Sequence, residues 1–172
     1  MSWAWIFLAA MATTVAHADR LEGKVISVTA GDRLVIKETE TKKRHNLELA
    51  GIMAPVKGQP FYDSSTAALH KMVRNKTVTF DWDKVAERCK HRPSTCPKIG
   101  RLLVDNRDVN LEQVKKGMAW HDVRHMDEQT TPDRTLYSEA ESEAKTHRSG
   151  LWKAKKPVPP WQFKPSVATT TN

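Results

Sequence analysis

Residues 21–38 read LEGKVISVTAGDRLVIKE, with apolar and polar side chains alternating on either side of Ala30-Gly31-Asp32. Successive side chains of a strand point to opposite faces of a sheet, so a period of two calls for a sheet with one face on a core and the other in water. Ala30-Gly31-Asp32 carries the residues of a tight turn, and the spacing predicts two antiparallel strands joined there. A wholly helical fold is excluded.

The same logic runs down the chain. RHNLELAGI, residues 44–52, predicts a third strand, reached through the basic turn Thr41-Lys42-Lys43-Arg44. FYDSSTAALHKMV places Phe61, Ala68, Leu69, Met72 and Val73 near helical spacing, with Asn75 ending the helix. KTVTFDWDKV alternates Val78, Phe80 and Trp82 as a fourth strand, and IGRLLVDN is the fifth, ending at Asp105-Asn106. NLEQVKKG predicts a short helix capped by Asn110, with Gln113 in the reciprocal capping position and Gly117 as its stop. The last helix is predicted to begin at Thr131-Pro132 and to stop at Gly150. Five strands in order, one helix after the third and helices after the fifth describe a mainly β fold. The expected architecture is a five-stranded Greek-key barrel of the oligonucleotide-binding (OB) type with about three α-helices packed outside.

The opening stretch, MSWAWIFLAAMATTVAHA, lacks Lys, Arg, Asp and Glu and closes on Ala16-His17-Ala18, a small-x-small pattern a signal peptidase can cut. Residues 1–18 are therefore expected to be a signal peptide, the alternative being an uncleaved anchor. The rest divides into a domain at 19–152 and a Pro- and Lys-rich tail at 153–172, in which Trp161 and Phe163 are expected to dock and the remainder to be mobile. An exported protein, periplasmic or secreted and monomeric, with no membrane anchor after cleavage, is the expectation. Cys89 and Cys96 are the only cysteines. A single pair in an oxidising compartment predicts a disulfide. A metal site would have only His91 to add between them, short of the four ligands zinc prefers.

The formal net charge is +8, unevenly placed. Lys84, Arg88, Lys90, Arg92, Lys98 and Arg101 crowd one segment against Glu87 alone, and Lys42, Lys43 and Arg44 crowd the earlier turn. Such patches permit contact with a phosphate backbone, though a merely soluble basic surface has the same composition. Trp82 and Trp120 could stack on bases, the alternative being burial, which alternation favours for Trp82. His121 and His125 would meet only on a helix, and WHDVRHM carries no helical signal; surface histidines are the commoner outcome.

Several short motifs follow one another in order: Gly31-Asp32 after an alternating strand, Leu49-Ala50-Gly51-Ile52-x-Ala54-Pro55, Asp108-Val109-Asn110, Gly117-x-Ala119-Trp120, and Ser149-Gly150-Leu151-Trp152. Together they resemble the thermonuclease, or staphylococcal-nuclease-like, domain, and Pro159-Pro160-Trp161 resembles the tail of its exported bacterial branch. The resemblance implies calcium-assisted attack of water on a phosphodiester. That chemistry needs carboxylate oxygens for the cation, a carboxylate for the water and two guanidinium groups for the phosphate.

Those positions are largely replaced. Asp32 stands where the family keeps one metal-binding aspartate, but Ala30 replaces its companion. Glu48 takes the place of a phosphate-clamping arginine, Met53 that of a metal carboxylate and Val56 that of the water-activating glutamate. Arg101 in Ile99-Gly100-Arg101 resembles the second arginine by its neighbours, yet stands closer to Asp108 than the family's spacing allows, and that place falls on Pro97. A thioether and an isopropyl group neither ligate a hard cation nor accept a proton.

The sequence therefore leans away from an active enzyme, with no cofactor expected unless the family's Ca²⁺ chemistry persists. The leading expectation is a binding module for nucleic acid or protein, with Lys42, Lys43, Arg44, Lys84, Arg88, Lys90 and Arg92 as candidate phosphate contacts. The second is a phosphodiesterase rebuilt around Asp32, Glu48 and His45 or Arg101. The third is an envelope assembly partner without nucleic acid.

Overall fold

The computed structural model describes residues 19–89 and 96–165. The segment expected to direct export, 1–18, the cations Lys90 and Arg92, and the tail from 166 onward lie outside the described residues.

Strands β1 (Asp19–Ala30) and β2 (Arg33–Glu38) form the predicted hairpin around Gly31-Asp32, paired through Lys24 with Lys37, Val25 with Ile36 and Ala30 with Arg33. β3 (Arg44–Leu49) continues the meander. After the two-residue β4 (Ile52–Met53) and helix α1 (Tyr62–Val73), β5 (Thr77–Val85) returns antiparallel to β1. β6 (Lys98–Val104) then pairs antiparallel with β5 on one side and parallel with β3 on the other. That β3–β6 pairing joins the two ends of the sheet and closes the barrel. β7 (Arg107–Asp108) turns back to pair antiparallel with β6, α2 (Val109–Lys115) follows, β8 (Trp120–His121) pairs with β4, and α3 (Thr131–Thr146) packs on α2. The expected barrel with its packed helices is present; the short β4–β8 ribbon carries no pattern long enough to be read from sequence.

Alternation decides what lies inside. Leu34, Ile36, Leu47, Leu49, Val78, Phe80, Leu102 and Val104 fill the barrel, and Leu69, Val73, Val114 and Tyr137 seal it from the helices. Fully burying one such aliphatic side chain contributes on the order of 1.5–3 kcal/mol. Among the described residues no helix is long and apolar enough to cross a membrane.

Two caps differ from expectation, and one changes the meaning of a residue. The cap of α2 is Asp108, whose carboxylate accepts from Leu111 N at 3.0 Å. Asn110 lies one residue inside the helix, and its amide is free to bond elsewhere. The side chain donates to Ala50 O at 3.0 Å and Gly100 O at 3.1 Å and accepts from Leu102 N at 3.1 Å. It ties α2 to the seam where β3 and β6 close the barrel. Gly100 at that seam must be glycine, since a Cβ there would stand 2.0 Å from Asp81 O. Gln113 is not a capping residue either; it is buried and donates to Gly31 O at 2.6 Å. The cap of α3 is Thr130, one residue earlier than predicted, with Pro132 in its first turn.

The tail docks more extensively than its aromatic residues suggest. Gln59 Nε2 donates to Val158 O at 2.5 Å, and Pro160 is buried while Trp161 and Phe163 are only partly so. Cys89 and Cys96 are joined by a disulfide, with Cα atoms 5.6 Å apart.

Asn110→Ala is expected to lower unfolding free energy by about 2–4 kcal/mol, because it strands buried donors and acceptors at the barrel seam. A urea midpoint that falls without a change in slope checks this; an unchanged midpoint contradicts it.

Candidate functional site

The β1–β2 turn, the loop after β4 and the β5 end converge on a cavity of about 850 Å³ lined by Asp32, Arg33, Glu48, Met53, Val56, Lys84, Arg88, Asp122, Arg124 and His125, among others. It contains four of the family positions read from the sequence, Asp32, Glu48, Met53 and Val56. Gly31 fixes the turn: a Cβ on it would overlap Ser65 of α1, and its carbonyl is held by Gln113 of α2. Ser65 in turn donates to Met118 O at 2.6 Å. The turn that leads into Asp32 is therefore fixed against two helices.

Asp32 is buried, and both of its oxygens are engaged. Ala54 N donates to Oδ2 at 2.9 Å, and Arg33 Nε donates to Oδ1 at 3.3 Å. Burial pushes the carboxyl above its ordinary range, against the pull of Ala54 N–H and Arg33, and Glu48 adds to the rise.

Glu48 stands across the β2–β3 ladder from Arg33. Its carboxylate receives Arg88 in a two-armed ion pair, through Nη2 to Oε2 and through Nη1 to Oε1 at 3.4 Å. This pairing raises the Arg88 pKa, its bond to Glu48 outweighing the effect of burial.

Met53 faces the cavity with its sulfur accepting from Arg124 Nη2 at 3.2 Å, and Val56 presents hydrocarbon. Arg124 is itself locked. Its Nε and Nη2 donate to the two oxygens of buried Asp122 at 2.8 and 2.7 Å, while Trp161 of the tail covers its guanidinium at 4.3 Å. Burial works to raise the Asp122 pKa, but Arg124 and His125, whose Nδ1 lies 3.0 Å from the same carboxylate, bring it below the ordinary value. Sequence reasoning does not single out Asp122 and Arg124. Their segment lacks periodicity, and only the β4–β8 ribbon carries it to the cavity.

The remaining candidates separate. Arg101 does not line this cavity; it pairs with Asp133 on α3 and, at 3.4 Å, with Asp108, whose carboxylate also accepts from Tyr137 Oη at 2.8 Å. Its role is to join β6 to α2 and α3. His45 contacts Glu38 at 3.0 Å, at the opposite end of β3 from Glu48. The four groups expected to rebuild a site thus do not converge. Lys84 pairs with Asp127 at 3.0 Å and Glu128 at 3.4 Å, while Lys42, Lys43 and Arg44 are exposed at the β2–β3 turn. His121 is buried, with Nε2 2.8 Å from Gln129 Oε1, and shares no helix with exposed His125. Neither tryptophan presents a free stacking platform. Lys98 covers Trp82 at 3.0 Å, and Trp120 is buried edge-on to Trp152 at 5.7 Å.

Calcium needs several oxygen ligands at about 2.3–2.6 Å. Here one carboxylate with both oxygens occupied, a thioether and an isopropyl group hold the corresponding places, and the residues present do not fit the ion. Among the described residues no group of three or more His, Cys, Asp or Glu side chains is disposed to hold a metal. The cavity is lined by six Asp or Glu against four Lys or Arg and one histidine. Each of the four cations is already paired with a carboxylate.

Comparison with known proteins agrees with this architecture. The model of the family described as staphylococcal nuclease homologue matches residues 34–154. An uncharacterized endonuclease of Escherichia coli is 31% identical over 146 residues, spanning 82% of this chain and 83% of its own length. A probable staphylococcal-like nuclease of Oryza sativa subsp. japonica is 30% identical over 122 residues, 71% of this chain. A staphylococcal-like nuclease of Arabidopsis thaliana is 28% identical over 150 residues, 86% of this chain. The match spans 33% of the rice protein and 42% of the Arabidopsis one.

A carboxyl whose folded-state pKa is raised opposes folding once it ionises. For Asp32 this handicap is absent below the ordinary value of 3.8, grows as pH rises through it, and is complete above the raised native value. Asp32→Asn keeps an acceptor for Ala54 N–H and removes the titration. Its stability relative to the parent is expected to improve between about pH 3 and pH 7 in urea titrations. A relative loss over that range contradicts the assignment.

Proposed function

Because the chain belongs to the staphylococcal nuclease homologue family, we propose that it is a nuclease-like barrel that binds nucleic acid without cutting it. The observation that carries the reading is the rim of the cavity, where Glu48 and Arg88 satisfy each other at the place a phosphate clamp requires an unpaired guanidinium. A scissile phosphate entering there meets a carboxylate whose neutralising partner is already engaged. Beside it, Met53 and Val56 supply neither a ligand for a hard cation nor a base for water. Loss of single catalytic groups costs orders of magnitude in rate, and here several are replaced together.

Binding is supported by the family membership and by the net charge of +8. Export to the periplasm or medium as a monomer belongs to the same proposal. Its supports are the apolar opening stretch with its small-x-small close and the Cys89–Cys96 disulfide, a bond that persists in oxidising compartments.

The purified chain, incubated with single-stranded DNA, duplex DNA and RNA in Ca²⁺, Mg²⁺ or Mn²⁺, is expected to leave all three intact while retarding them on gels at low salt. Metal-dependent cutting that disappears in Asp32→Ala would overturn the proposal.

A further inference from the structure

The cations of the cavity are paired internally, so a polyanion bound by this protein needs cations elsewhere. β1, β2 and β3 provide them. Their register sets Lys24 opposite Lys37, and Lys37 opposite Arg44, so the three side chains form one row across three adjacent strands. Directly opposed residues share a face, and here it is the outward one: Val25 and Ile36 point to the core, while Lys24, Lys37 and Arg44 are all exposed.

None of the three has a hydrogen-bond or ion-pair partner for its side chain among the described residues. The nearby acid Glu38 is engaged by Thr41 and His45. Like charges directly opposite one another destabilise a sheet. At an inter-strand spacing of about 4.8 Å, less than a Debye length at physiological salt, these cations repel. The β2–β3 turn adds Lys42 and Lys43 beside Arg44, and Lys42 folds back onto Thr39 O at 2.6 Å.

We propose that the outward row Lys24–Lys37–Arg44, with Lys43 at its edge, is a binding site for the phosphate backbone of nucleic acid, separate from the nuclease-like cavity. It rests on the nucleic-acid-binding reading above and gives that reading a surface. A row of cations on the outer wall of the barrel contacts phosphates and not base edges. Binding at this site is therefore indifferent to sequence and steeply dependent on salt.

The test is a salt series. Fluorescence anisotropy of a labelled duplex with the full chain yields the slope of log affinity against log salt. Each phosphate neutralised contributes about 0.9 to that slope for duplex DNA and about 0.7 for a single strand. The variant Lys24→Gln/Lys37→Gln/Arg44→Gln is expected to lose about 2 to 3 units of slope. Because it relieves repulsion, it is expected to melt no lower than the parent. The charge-matched control Lys71→Gln/Arg74→Gln/Lys153→Gln, on another part of the surface, is expected to keep the parent slope.

Equal loss in both variants overturns the row as a site and leaves binding as a net-charge effect. No binding by the parent chain at low salt overturns the nucleic-acid reading itself. Preference for anionic phosphatidylglycerol vesicles over the oligonucleotide, lost in the first variant alone, overturns the choice of partner.

Discussion

The fold depends on one buried amide. A five-stranded sheet becomes a barrel here only where β3 meets β6 in parallel, and that seam runs past Ala50 and Gly100, whose carbonyls both turn to the Asn110 side chain. With Leu102 N as its third partner, Asn110 serves Ala50 O and Leu102 N where the strand ladder ends, and adds a second donor to Gly100 O, which also accepts from Ala50 N at 2.8 Å. An unmet buried donor or acceptor costs about 1–3 kcal/mol, so a single residue on α2 bears on both closure and helix docking. Gly100 completes the seam by letting β5 approach without a side chain in the way.

The same closure gathers the β1–β2 turn, the β4 loop and the end of β5 around one cavity, and charge pairing decides what that cavity can do. Arg88 is spent on Glu48, Arg124 on Asp122, Lys84 on Asp127 and Glu128, and Arg33 on Asp32. The barrel of the staphylococcal nuclease homologue family is retained, and the cavity's cations are paired within the protein. Along one row on the outer face of β1–β3 the balance is opposite. Lys24, Lys37 and Arg44 stand in register with nothing among the described residues to neutralise them. In the proposed reading, complementarity to a phosphate backbone lies on the wall of the barrel and not at its mouth.

Much of the fold is legible in the sequence because period-two alternation marks strands, and Gly117 stops a helix whatever surrounds it. The departures from expectation have physical causes. Asn110 has the residue type that favours a cap, but Asp108, two positions earlier, supplies the carboxylate and leaves the amide for the seam. Arg101 is ambiguous by its letters and is resolved by its partners, since Asp133 and Asp108 lie on the helical side of β6, away from Asp32. Asp122 and Arg124 give no signal because two-residue β8 has no period to read, and the contact with Met53 spans distant parts of the chain.

The sequence by itself determined the side-chain chemistry: no oxygen at Met53 or Val56, a carboxylate at Glu48, an excess of cations, and the alternation that makes a barrel. These follow from residue identity and local period, which need no knowledge of neighbours. Only the tertiary structure decided which charges meet. Arg88 comes from beyond the end of β5 to reach Glu48 on β3, Trp161 comes from the tail to cover Arg124, and Lys24, Lys37 and Arg44 become one row only through strand register. Ion pairing and register are relations between distant residues, set by barrel closure, and no local pattern encodes them.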